Sequence, residues 1–116
     1  MITESTTRKI GEIDIVDISG RLSLGNTLLS IERSIVNLIE QGSRRLVINV
    51  TGLTSIDSAG IGMLMACSGL MEQKHGKLRI SGAQGGVART FEVVHIGRVA
   101  ALDGDLDTAC RELAQD

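Results

Sequence analysis

The chain has 116 residues, a formal net charge of −2 and 42% apolar residues, with one Phe and neither Tyr nor Trp. That length fits a single domain over 1–116 and buries roughly two-thirds of the unfolded surface, so a core can form without metal or disulfide. The lack of aromatics excludes the stacking platforms of single-stranded nucleic acid binding, and the scattered basic residues leave no footprint for a duplex. Residues 1–5 are polar and are expected to fray. Residues 6–10 read as a first strand, turning at Gly11-Glu12 into a second. There Ile13 and Ile15 share one face and Val16 and Ile18 the other, which suits a strand covered on both sides, with a bulge. The two strands read as a hairpin, and 20–25 as the loop after it.

From 26 to 41, Leu28, Ile31, Ile35 and Leu38 recur at helical spacing, with Glu32, Arg33, Asn37 and Glu40 opposite. Gly42 stops this amphipathic helix. The unbroken apolar run 46–50 predicts a strand covered on both faces, followed by a polar turn over 51–55. A second helix over 58–75 carries Leu64, Cys67 and Met71, its stripe widened by Ile61, Met65 and Leu70, and Gly76 ends it. A short strand at 77–81 leads through the loop 82–86 to a third helix aligned on Val87, Phe91 and Val94. A last short strand is expected at 98–102. Asp103-Gly104-Asp105 then caps a final helix bearing Leu106, Ala109, Cys110 and Leu113. Strands separated by helices demand right-handed crossovers. The expected fold is α/β: a mixed sheet of four to five strands, its N-terminal hairpin at the edge and the rest largely parallel, with about four helices.

The stretch Ile56-Asp57-Ser58-Ala59-Gly60-Ile61-Gly62 joins the central strand to the second helix. An Asp-Ser pair at a helix mouth ordinarily serves as a cap. Two glycines in a first helical turn, however, cost roughly 1 kcal/mol each against Ala. That cost points to a close approach to the backbone there, such as by another chain. A phosphate on Ser58 would sit comfortably against the helix N-terminus while presenting about −1.5 to −2 units of charge to a partner.

Other chemistry is thinly supported. Ser58 as a nucleophile needs a base, but His75 would lie about 25 Å along the helix axis and no G-x-S-x-G elbow surrounds the serine. Asp14 and Asp17 fall on opposite strand faces and are expected to be solvated. The 82–86 loop lacks a dinucleotide or Walker spacing and reads as a turn rather than a phosphate cradle. Cys67 and Cys110 have no metal-ligand spacing and are expected to be reduced, buried and inert. The acidic residues Asp103, Asp105, Asp107, Glu112 and Asp116 read as a solvated helix face. No catalytic residue, metal or cofactor is expected. Nor is membrane insertion: no apolar run reaches about 18 residues and no signal-type segment opens the chain, which points to the cytoplasm.

The heptapeptide at 56–62, behind the strand at 46–50, resembles the D-S-[SA]-G-[LI]-G signature of STAS domains, and most closely the bacterial anti-sigma factor antagonists. The likeness extends from Thr6 to Leu113 in element order and spacing. The resemblance implies a STAS-like fold in which Ser58 is the phospho-acceptor and Asp57 assists its geometry. It implies as partners an anti-sigma factor serine kinase of GHKL type, bound when Ser58 is unmodified, and a PP2C-type phosphatase that restores the antagonist. The docking surface it implies comprises Leu22, Ser23, Asn26, Ile56, Asp57, Ser58, Ala59, Gly60, Ile61, Gly62 and Met63. Two departures stand out: Gly20-Arg21-Leu22-Ser23 replaces the common G-E-L-D, and Ala59 replaces a second serine, leaving Ser58 the one hydroxyl at the heart of the motif. Two other readings compete with the switch. One is a non-switching STAS module, such as a subunit of a lipid-transport ATPase complex; the other is a nucleotide-binding protein using the 82–86 loop.

Overall fold

Each strand lies beside its neighbour in sequence. The computed structural model describes residues 2–115 and contains β1 (Glu4–Ile10), β2 (Ile13–Leu22), β3 (Arg45–Ile56), β4 (Lys77–Ser81) and β5 (Ala101–Asp103), in the sheet order β1-β2-β3-β4-β5. β1 and β2 are antiparallel and every later pairing is parallel. The helices are α1 (Asn26–Glu40), α2 (Ser58–Gln73), α3 (Gly85–Val93) and α4 (Leu106–Ala114), with a 3-10 turn at Ile96–Arg98.

A sheet that grows one strand at a time in one direction, by right-handed crossovers, puts every crossover helix on the same face. That face holds the main core: Val16, Ile18, Leu46, Ile48, Val50 and Ile80 of the sheet meet Ile31 and Ile35 of α1, Leu64, Cys67 and Met71 of α2, and Phe91 of α3. α4 covers the opposite face with Ala109 and Leu113 against Ile13, Ile15 and Val47. β2 and β3 are therefore sandwiched, and the broken alternation of 13–18 has its explanation.

Several boundaries move. Residues 4 and 5 do not fray but pair with Ser19 and Ile18, while Met1 and Asp116 lie outside the described residues. β2 runs through the expected loop to Leu22, and β3 runs through the expected turn to Ile56. The polar stretch of each strand is satisfied by the other: Ser19 pairs with Gly52, Gly20 with Leu53, Arg21 with Ser55 and Leu22 with Ile56. Register shifts at 17–19 and 20–21 supply the bulge. The last strand occupies 101–103 rather than 98–102, because 96–98 winds into a 3-10 turn first. Val94 caps α3 and is exposed instead of aligning with Phe91.

Both long helices end in a Schellman arrangement. After α1, Gly42 takes φ +114 and Ser43 N–H reaches the Leu38 carbonyl at 2.9 Å. After α2 the left-handed residue is His75 (φ +64) rather than Gly76. Gly76 is small for another reason, since a Cβ there would stand 2.4 Å from Met71 Sδ.

The two strand carboxylates are engaged. Asp14 is buried, accepts the Ser43 hydroxyl at 2.6 Å and pairs with Lys9, whereas Asp17 accepts Arg8 Nε at 2.7 Å and Asn49 Nδ2 at 2.8 Å. Asp103 likewise leaves the solvated set, binding Arg79 Nε at 2.6 Å. Cys67 is buried, but Cys110 is only half-buried beside the α4 core.

Candidate functional site

The pairing of β3 with β4 ends at Asn49–Ser81, while its pairing with β2 continues to Ile56–Leu22. β1 leaves the register at Glu4–Ser19, opposite Gly52, so from Leu53 to Ile56 β3 pairs with β2 alone and the two form a projection at the end of the sheet. The chain leaves its tip directly into α2, so Asp57 and Ser58 sit at the end of that projection.

Asp57 and Ser58 divide the work. Asp57, extended at φ −107, is the N-cap, and its Oδ1 accepts the Gly60 N–H at 2.9 Å. Its Oδ2 accepts the Leu24 N–H at 3.0 Å, and its own N–H donates to the Leu22 carbonyl at 3.2 Å. One carboxylate therefore caps α2 and clamps the 23–25 loop to it. The Leu24 bond first, and the Gly60 bond next, hold that carboxyl below the usual carboxylate range, so it stays charged. Ser58 is the first helical residue, is exposed, and is relieved of capping duty by its neighbour.

The two glycines also differ. Gly60 is buried, and a Cβ on it would stand 2.6 Å from the Leu22 carbonyl oxygen and 2.7 Å from Ile56 Cγ1. The close approach at Gly60 is thus made by this chain's own β2 and β3, a correction to the expectation of a second chain at that position. Gly62 is exposed with nothing within 4 Å of its Cβ position, so no internal packing accounts for it.

Among the other residues expected on the surface, Asn26 is exposed at the start of α1, and Ser23, Ile56 and Ala59 are half-buried. Leu22, Ile61 and Met63 are only 0%, 7% and 3% exposed. Leu22 ends β2 on the core-facing side of the sheet, Ile61 lies on the 61–64–67–71 spine of α2, and Met63 is buried because that stripe is wider than its spine; all three pack in the core rather than present a surface. Within the 20–26 stretch, which the resemblance also assigns to the docking surface, the residue not singled out from the sequence is Leu24, 75% exposed and tethered through its N–H to Asp57 beside Ser58. A lone leucine between Ser23 and Gly25 was its own signal.

The histidine considered as a base, His75, lies past the far end of α2, and the chain's other histidine, His95, lies in the turn after α3. Gly82, at φ +86, is buried where a Cβ would fall 2.0 Å from Thr51 Oγ1, so the start of the 82–86 loop is shaped by packing.

The STAS domain family model matches residues 4–109. The chain belongs to the STAS domain family. Among solved structures, this STAS domain is similar to an anti-sigma factor antagonist from Mycobacterium paratuberculosis, with TM-score 0.86, 17% identity, and coverage of 97% of this chain and 95% of that one. It is also similar to RsbS of Moorella thermoacetica (TM-score 0.79, 20% identity, 96% and 95% covered). A third is the Bacillus cell fate determinant SpoIIAA in its phosphorylated form (TM-score 0.73, 18% identity, 94% and 98% covered). At these identities the likeness establishes that this STAS domain has the fold of those antagonists.

Proposed function

We propose that this STAS domain is an anti-sigma factor antagonist switched by phosphorylation of Ser58. The observation that carries the reading is the position of Ser58: exposed, first in α2, at the tip of the β2–β3 projection, with the capping role taken by Asp57. A hydroxyl so placed is open to a kinase, and no fold-determining bond is lost on its modification. The phosphate would lie at the positive end of a 16-residue helix, which tolerates the charge. The partner would meet the opposite consequence, about −1.5 to −2 units of charge on a surface formed by Ser58, Gly62, Leu24 and Asn26. Unmodified, the surface binds an anti-sigma serine kinase of GHKL type and frees the sigma factor; phosphorylated, it releases the kinase until a PP2C-type phosphatase resets it. The family membership and the phosphorylated SpoIIAA neighbour support this reading. Within it, catalysis belongs to the kinase and phosphatase, and the chain itself needs no cofactor. No helix among the described residues is long and apolar enough to cross a membrane.

The test is a binding titration against the cognate kinase with Ser58→Asp and Ser58→Ala. The expected result is lost affinity for the first and retained affinity for the second. Mass spectrometry after incubation with kinase and ATP should find one phosphate on the wild type and none on Ser58→Ala. Binding of Ser58→Asp as tight as wild type would refute the switch.

A further inference from the structure

β1 is a free edge. All seven of its residues are exposed, and it pairs only with β2. Such an edge offers unpaired N–H and C=O groups to any strand that can meet them. The turn at its end fixes which residues do so. Ile10 and Ile13 flank a two-residue loop with Gly11 at φ +60, and the closing pair of such a hairpin exchanges both its hydrogen bonds. Alternate residues Ile10, Arg8, Thr6 and Glu4 therefore turn their backbone groups to β2. Thr3, Ser5, Thr7 and Lys9 turn theirs outward.

A second copy pairing antiparallel on this edge must match outward residues with outward residues. With Thr6 opposite its own copy, Thr3 meets Lys9 and Ser5 meets Thr7 in the hydrogen-bonded positions. In the closer, non-bonded positions Glu4 meets Arg8 and Ile2 meets Ile10, each twice by symmetry. Moving to the next allowed register in either direction loses both matches, setting Glu4 against Ile10 or against Thr6. The residues are available for it. Ile2 is 75% and Ile10 43% exposed, and Arg8 uses two guanidinium N–H groups on Asp17, leaving others for Glu4. At the other edge of the sheet, β5 has only three residues, too few to propagate the pairing.

We infer that the β1 edge is a homodimer interface: two copies join antiparallel about Thr6 into one continuous sheet. The interface uses none of the residues around Ser58, so this inference stands apart from the proposed switch.

The experiment uses the full chain. Sedimentation equilibrium from micromolar to millimolar concentration should show a monomer–dimer equilibrium. Ile2→Asp, at an exposed position outside β1, should weaken it about tenfold, the loss of two cross-strand contacts and their apolar cover. On a Cys110→Ser background, in which the remaining Cys67 is buried, one cysteine at a time is introduced at Ser5, Thr6 or Thr7 and oxidised. Thr6→Cys should cross-link alone, because facing residues of a non-bonded pair lie about 4.5 Å apart at Cα, within disulfide reach. Far-UV circular dichroism confirms that each variant is folded. A monomer at all concentrations, an Ile2→Asp variant that associates as before, or equal cross-linking at the three positions would each overturn the inference.

Discussion

Gly60 and Gly62 stand two residues apart on one helix, and replacing each with Ala should move stability in opposite directions. At Gly62 the new methyl meets nothing within 4 Å. The gain is then that of Ala over Gly inside a helix, about 0.5–1 kcal/mol, or a rise of about 4 °C in Tm for a domain of this size. At Gly60 the methyl must stand 2.6 Å from the Leu22 carbonyl oxygen and 2.7 Å from Ile56 Cγ1. Overpacking of this kind costs about 1–3 kcal/mol, offset by the same helix gain, for a net loss of up to about 2 kcal/mol. The displaced carbonyl is also the acceptor of the Asp57 N–H, so the damage is centred on the site. Urea unfolding of both variants measures the two signs, and a kinase titration measures the consequence for docking. Under the proposed docking, Gly62→Ala should bind its partner more weakly although it is more stable, because the methyl would stand on the exposed face assigned to the partner. Gly60→Ala stabilised as much as Gly62→Ala would refute the packing argument, and Gly62→Ala with unchanged kinase affinity would refute the close approach.

The Asp57 clamp predicts that Asp57→Ala frees both the Leu24 and the Gly60 amides, read as faster hydrogen exchange at those two positions, while Asp57→Asn slows the exchange of at least one again; equal exchange in all three proteins would show that the clamp is idle. Asp17, Asp57 and Asp105 are all held below the ordinary carboxylate value of 3.8, by Arg8, by the Leu24 and Gly60 amides, and by the Thr108 amide respectively. Depressed carboxylates stabilise the fold above their unfolded pKa and lose that contribution as pH falls through the folded one. The urea midpoint should therefore hold steady from neutrality to about pH 5 and fall below about pH 4, with a shallower fall in Asp17→Asn. Burial pushes the Cys67 thiol up to about 12, and burial together with Asp107 raises Cys110. At neutral pH a thiol reagent should label Cys110 slowly and Cys67 only on unfolding; labelling of Cys67 at the unfolded rate would contradict its burial.

The local code carried much of this molecule. Helical spacing at 28, 31 and 35, the apolar run at 46–50, and Gly11 and Gly42 at turn and cap positions were enough to order the elements and predict a mixed sheet with its hairpin at the edge. The heptapeptide marked Ser58 as the group to follow. These signals are legible because each is a short-range choice, made by a residue and neighbours within one or two turns. Three matters were settled only by the packed chain. Residues 19–22 and 51–56 look like polar loops alone and become strands because each satisfies the other's backbone across more than thirty residues of sequence. The faces of Ile61 and Met63 depend on how wide a strip of α2 the sheet and α1 cover. The division of labour between Asp57 and Ser58, and between Gly60 and Gly62, depends on where the end of β2 passes beside the first turn of α2. Sequence patterning registers the period of an element, but the distance between two elements remote in the chain exists only once they are packed.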